Sequence, residues 1–338
     1  LRKLNIISDL FTTSRFHRVF RWSRSRFFPI VPILTYHRVM DIDETYPFDS
    51  DLVSATTAEF QMQMEYIKKH YTPITMQQMI QHIEGEKLNI KNPILVTFDD
   101  GFSDNYATAF PILKSLNIPA TFFLTTNFID HNEVLWYEKL AFIIKCSHKQ
   151  SLEIPSLGKT YSLNQQTPRQ EVYTEIVEAL KLLSNSERQN TLEDLFALNK
   201  STLEKMDNFK HLSMPMTWDN IREMNDSGMD FGSHTLSHPI LSTISPEQLK
   251  IELIESKKRI ESELNQKVDS IAYPVGQRES TSKNVEQEVE KANYKIGFSY
   301  IDGVDNRSKF SLGRIHVDYN MPMSFFKSKL ILPALFCD

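Results

Sequence analysis

The sequence predicts an α/β fold in which parallel strands curl into a barrel-like sheet. Three observations lead there. Short runs rich in apolar and β-branched residues alternate with segments of helical periodicity along most of the chain. Strand, helix and strand in that order require a parallel crossover. The strands also end in polar residues, and catalytic groups gather at the carboxyl ends of strands in such sheets.

The first strand is the short apolar run "FFPIVPILTYHRV", which reaches His37 and whose start is marked by Pro29 and Pro32. Phe60, Met64 and Ile67 stand at helical spacing and predict a helix over 57–70 capped by Thr57. A second helix over 75–84 stops at Gly85. The stretch "ILVTFDDG" gives a strand over 93–99, followed by a helix near 104–116 and the strand "ATFFLTT", in which at least one of Phe122 and Phe123 belongs to the core.

The middle of the chain breaks the rhythm. "EVLWYEKLAFIIKC" reads as an amphipathic helix and "SLEIPSLGKTYSL" as a hairpin or loop. "TPRQEVYTEIVEALKLL" opens with Thr as cap and Pro at the first helical position. Residues 131–212 are therefore expected to form a mostly helical insertion, either a subdomain or a flap beside the site. The alternation resumes with a capped helix closed by Gly228, the strand "MDFGSHT", and a long helix with Ser245 and Pro246 at its start. It continues through "SIAYP", a helix near 281–292 and "YKIGFSY". The expected organisation is a basic aromatic segment over 1–30, a catalytic domain over 31–320 interrupted by 131–212, and a tail over 321–338.

With 338 residues, 41% hydrophobic and 24% charged, the composition is that of a globular protein. A net charge of −5 and a pI near 6.1 give no whole-protein case for binding nucleic acid. Cys146 and Cys337 lie far apart without CxxC spacing, which points to two thiols in a reducing compartment. No run of about 18 uncharged apolar residues occurs, so no spanning helix is expected. The first 30 residues carry seven Lys and Arg against the single acid Asp9, with six Phe and Trp interleaved. They lack the unbroken apolar core of a secretory signal, so the expected location is cytoplasmic or peripheral at the inner membrane face. Such a segment suits an anionic membrane surface, or else a helix packed on the protein.

The chemistry collects where strands should end. Asp99 and Asp100 close one strand, and neighbouring residues on a strand point to opposite faces, so the two acids need not share an environment. Charges at the mouth of a core need compensation by a metal ion, a cation or a catalytic duty. Alone, "DDG" more often marks a turn or a helix cap. His234 and His238, in "SHTLSH", are four apart and can converge on a helical turn or in a tight loop. Neutral imidazoles so placed suit zinc and related ions, and an aspartate from another strand would complete a two-His, one-carboxylate set. Thr235 follows His234, so this is not the zincin pattern.

"TFDDG" followed by "SHTLSH" resembles the first two motifs of the polysaccharide deacetylases, the NodB-homology or family-four carbohydrate esterases. The resemblance covers roughly 30–130 and 213–318 and implies a distorted (β/α) barrel. It implies Asp99 as the catalytic base, with Asp100, His234 and His238 holding a divalent metal: zinc, or alternatively cobalt, nickel, manganese or iron. The family's third motif, Arg-x-Pro-x-Gly, is here "AYPVG", with Ala272 in place of the arginine that positions the catalytic aspartate. The Pro274–Gly276 turn survives, and the Val275 N–H can donate to an oxyanion. The closing Leu-x-x-His motif is missing near the C-terminus, where Leu312 and His316 are one residue too far apart. "LTYH" supplies it at the front instead, as in the circularly permuted deacetylases of poly-N-acetylglucosamine. His37 is thus expected, ahead of His316, as the acid that protonates the leaving amine, and Arg314 is a candidate to replace the missing arginine.

The implied activity is metal-dependent removal of N-acetyl groups from amino sugars of a cell-surface polysaccharide or its precursor, with an N-acetylated glycan as partner. The alternatives are a deacetylase or deformylase of a lipid-linked sugar, and a non-catalytic carbohydrate-binding relative that the missing arginine would suit.

Overall fold

The computed structural model describes residues 31–164, 166–304 and 308–333, together with Ser8 and Cys337. The basic segment over 1–30 therefore lies outside the described residues apart from Ser8.

Seven parallel strands close into a barrel: β1 (Ile33–Tyr36), β2 (Pro93–Phe98), β3 (Thr121–Leu124), β4 (Asp230–Ser233), β5 (Ser270–Ala272), β6 (Ile296–Asp302) and β7 (Leu312–His316). Each strand pairs with its neighbour in sequence, and β1 closes the ring by pairing with both β2 and β7. The predicted barrel is thus the observed fold. A short strand at Thr72–Pro73 extends the sheet beside β2.

Side-chain alternation divides the core into an inner and an outer layer. Ile33, Leu95, Phe123, Ala272, Ile296, Phe298 and Leu312 form one buried cluster inside the barrel, to which Met76, Met79 and Ile80 also belong. Their strand neighbours Leu34, Val96, Phe122, Ile271 and Ile315 pack outward in a larger cluster with the surrounding helices. Phe122 and Phe123 are therefore both core residues, one on each side of the wall.

The helices follow the strands. After β1 come α1 (Thr57–His70) and α2 (Met76–Ile83); α3 (Phe110–Leu116) follows β2, and α4 (Thr126–His131) follows β3. The cap of α1 is Thr56 rather than Thr57. Its hydroxyl accepts from Glu59 N while the Glu59 carboxylate returns to Thr56 N, a reciprocal pair one residue earlier than expected.

Between α4 and β4 lie α5 (Trp136–Cys146), an antiparallel hairpin (Ser151–Ile154 with Lys159–Ser162), α6 (Arg169–Lys181), α7 (Asn185–Leu198) and α8 (Trp218–Asp226). The residue at the N-cap of α6 is Pro168, not Thr167, whose hydroxyl donates to Asn164 Oδ1. Leu140, Ile144, Leu152, Tyr161, Ile176 and Leu192 build an apolar cluster of their own in this segment. Beyond β4 come α9 (Pro246–Leu264), α10 (Lys283–Lys291) and α11 (Met323–Ile331). Residues 321–338, set apart above as a tail, include α11, whose Phe325, Phe326 and Leu330 join the outer core. None of the described helices is long and apolar enough to cross a membrane.

Candidate active site at the carboxyl end of the barrel

Barrel closure brings the polar strand ends together. Tyr36 of β1 is in register with Phe98 of β2, and Thr35 with His316 of β7, so His37 emerges beside Asp99. Two further contacts tie these segments. Arg38 donates through Nε and Nη2 to Asp104 Oδ2 at 2.9 and 2.8 Å, and Asn105 Nδ2 donates to the His37 carbonyl at 2.8 Å. Arg38 is buried, and a buried ion pair this well hydrogen-bonded fixes geometry more than it adds stability.

The inward series Leu95, Thr97 continues to Asp99, and the chain then turns sharply. Asp100 and Gly101 have φ of 73° and 92°, which directs the second carboxylate away from the first. Asp100 Oδ1 lies 3.4 Å from His234 Nε2 and 3.3 Å from His238 Nε2. One ligand atom from each of these three residues falls within 4.8 Å of the others. The two adjacent acids therefore serve different neighbours.

This trio fits a divalent cation on three counts. Asp100 Oδ1 is buried and makes no hydrogen bond, a costly arrangement for a carboxylate unless a cation compensates it. The donor set of two imidazoles and one carboxylate is one that zinc and its neighbours accept. The His234 Nδ1 lies 2.9 Å from the Ala272 carbonyl; donation there places the proton on Nδ1 and turns the Nε2 lone pair toward Asp100. Burial pushes the His234 imidazole down to about 4, so the ring is neutral near pH 7. Burial alone would raise the Asp100 carboxyl, but the neighbouring His238, His37 and His234 outweigh it and hold it well below the usual carboxylate range.

Asp99 has a different partner. The Arg314 guanidinium, fully buried, grips it in bidentate fashion, Nη1 to Oδ1 at 2.8 Å and Nη2 to Oδ2 at 2.6 Å. Arg314 Nε donates to the Ser299 carbonyl at 2.9 Å, which fixes the fork. Ala272 sits among the inner apolar residues, so the arginine absent from β5 is supplied by β7 across the barrel mouth. Burial works to raise the Asp99 carboxyl, yet the Arg314 charge and its hydrogen bonds prevail and leave it lowered.

His37 Nε2 stands 3.9 Å from Asp99 Oδ2 and lines the cleft. His316 does not reach the cleft. Its ring stacks on Tyr300 at 3.7 Å between centroids, and burial pushes it down to about 3.

Val275 lines the same cleft with φ of 64°, a strained setting for a β-branched residue. Its N–H makes no hydrogen bond among the described residues. Gly276 continues the turn, and a Cβ there would fall 2.4 Å from Tyr300 N, so only glycine lets the turn lie against β6.

The loop carrying the two histidines is strained as well, with φ of 69° at Thr235 and 59° at His238; it is a tight loop, not a helical turn. Glu252 of α9 holds it. Its Oε2 accepts from Leu236 N and Ser237 N, both at 2.9 Å, and Oε1 accepts from the Ser237 hydroxyl at 2.6 Å. Glu252→Ala is expected to weaken divalent-ion affinity about 10–100-fold, the usual effect of losing a group that orients ligands. Titration calorimetry with zinc checks this; unchanged affinity would show the loop to be rigid without Glu252.

Sequence reasoning missed how much of the cleft comes from the segment between α4 and β4. Trp136 and Tyr137 of α5, and Tyr173, Val177 and Lys181 of α6, line it together with Asp99, Asp100 and Val275. A detectable signal was the one acid of α5: Glu138 is fully buried, and burial pushes its carboxyl up to about 8 against the opposing charge of Arg38. Of the aromatic residues near the motifs, Tyr36 and Phe102 are core residues, Tyr106 hydrogen-bonds Glu223 away from the cleft, and Tyr273 lines it while donating to the Phe310 carbonyl.

Comparison with known proteins finds relatives of this chain. The family model described as polysaccharide deacetylase matches residues 86–297, well over half of the chain, and leaves His37 and Arg314 outside its span. The chain is 22% identical over 300 residues to the putative polysaccharide deacetylase YxkH of Bacillus subtilis, spanning 88% of this chain and 74% of that protein. Over 105 residues it is 37% identical to the poly-beta-1,6-N-acetyl-D-glucosamine N-deacetylase of Staphylococcus epidermidis, 28% of this chain and 36% of that one. Among solved structures it is similar to the Streptococcus pyogenes deacetylase PplD in complex with acetate, with a TM-score of 0.59, 21% identity, and coverage of 86% of this chain and 94% of that one. The chain belongs to the polysaccharide deacetylase family, whose members hydrolyse N-acetyl amide bonds.

Proposed function

We propose that this protein removes N-acetyl groups from amino sugars of a cell-surface polysaccharide or its precursor, with a divalent ion, zinc first among the candidates, held by Asp100, His234 and His238. One observation carries the reading: a buried carboxylate oxygen without a hydrogen-bond partner lies within 3.4 Å of two imidazole nitrogens, beside a second aspartate locked by arginine. When bound there, a divalent ion supplies Lewis acidity that acidifies water and polarises an acyl oxygen.

The chain's own groups divide the remaining work. Asp99, oriented by Arg314, accepts the proton of the attacking water as the new carbon–oxygen bond forms. The Val275 N–H donates to the oxygen on which negative charge develops. His37 gives a proton to the amine nitrogen as the carbon–nitrogen bond breaks, releasing acetate and a free amino sugar. The bidentate Arg314 also removes the sequence's one argument for a non-catalytic relative, since Asp99 has its guanidinium after all. A glycan of N-acetylglucosamine is favoured by the likeness to the staphylococcal deacetylase.

Acetate release from N-acetylglucosamine oligomers tests the proposal. Activity should vanish on chelation and return with added zinc, cobalt or nickel. Full activity in the chelated protein, or none on any N-acetylated glycan, would contradict it.

A further inference from the structure

Tyr137 is a residue for which the mechanism above has no use, yet its setting is unusual. It is the second residue of α5, in the segment between α4 and β4 that carries its own apolar cluster. Its ring packs with Phe102, Phe128 and Leu135, and Phe102 directly follows the Asp99–Asp100–Gly101 turn, so the side chain is seated on the loop that bears both acids. The ring centroid lies 5.3 Å from that of His238. Only 6% of the residue is exposed, and its hydroxyl, buried in the cleft wall, makes no hydrogen bond.

A buried phenol without a good partner is costly relative to one that is satisfied, so the group is poised for something that arrives. Its chemistry says what. A phenol ordinarily loses its proton only at a pH of about 10, so it remains a donor throughout the neutral range. Its neighbour Asp100 is an acceptor, but that carboxylate faces the imidazole pair and is the ligand assigned to the cation. An acyl oxygen has lone pairs enough for a second donor besides the Val275 N–H.

We infer that Tyr137 contacts the substrate: its phenol donates to the acyl oxygen of the N-acetyl group, and more strongly to that oxygen as it becomes negative. The segment from α5 onward would then supply one arm of the oxyanion site as well as a wall. The inference rests on the deacetylase reading, but its test separates the two.

The test is Tyr137→Phe, which deletes one oxygen and keeps the ring and its packing against Phe102, Phe128 and Leu135. On N-acetylglucosamine oligomers kcat should fall about 10²-fold, as when one oxyanion donor is lost. Binding of acetate by the zinc-loaded protein, measured by calorimetry, should weaken about tenfold or more, the loss expected for a hydrogen bond to a charged group. Zinc content should match wild type. If wild type releases acetate and the variant equals it in kcat and acetate affinity, Tyr137 does not touch substrate. If instead the variant loses zinc, Tyr137 positions Asp100 and the inference is likewise overturned. If wild type itself releases no acetate, the deacetylase reading has failed, while a drop in acetate affinity would still report the contact.

Discussion

Asp99→Asn is expected to lower kcat for acetate release by roughly 10²–10⁴-fold, the range for losing a general base, while zinc stays bound. The amide keeps the shape of the carboxylate but cannot take a proton from water. Asp100, His234 and His238 make no hydrogen bond to Asp99, so the amide leaves their own contacts in place. The substitution leaves the Arg314 guanidinium buried and uncompensated, so the melting temperature should fall as well. Kinetics and metal content of the purified variant decide the matter. Activity within a factor of about two of wild type would remove Asp99 from the reaction, because no catalytic base is that dispensable.

Arg314→Met is expected to act on stability and pH dependence together. Methionine fills much of the arginine stem but supplies no cation, and breaking a buried pair from one side costs about 3–5 kcal/mol. The sign of the pH effect follows from Asp99. In the wild type the Arg314 charge holds its carboxyl below the usual value against the raising effect of burial. The pair therefore contributes stability that is present above the ordinary carboxylate pKa and is lost as pH falls through the lowered native one. Without Arg314 burial prevails and the carboxyl rises. The acid limb of kcat/KM should move to higher pH, and the stability gap between wild type and variant should be widest near neutrality and narrow in acid. An unmoved acid limb would mean that Arg314 does not tune the base.

Much of this arrangement was legible because the relevant signals are local. The barrel followed from alternating strand and helix signals, and the inward Leu95, Thr97, Asp99 series from the two-residue period of a strand. His234 and His238 announced themselves by spacing. The parts that stayed hidden depend on contacts between distant segments. Ala272 marked a missing cation without saying which strand would provide it; β7 does, because ring closure through β1 sets Arg314 across the mouth from β2. Glu252 lies 14 residues past His238 on a long amphipathic helix, where one more acid carries no signal. Tyr137 and Tyr173 read as ordinary helix residues until the segment between α4 and β4 folds over the cleft. The cap of α1 was misplaced by one residue because two adjacent threonines offer the same chemistry, and only Thr56 has Glu59 at the reciprocal spacing.

The central claim is that Asp100, His234 and His238 share one cation. Calorimetric titration of zinc into metal-stripped wild type and Asp100→Ala, each carried through to acetate release, addresses it most directly. One ion per chain with activity restored is expected for wild type, and severely weakened binding without recovery for the variant. Equal zinc affinity and equal acetate release in both proteins would contradict the account.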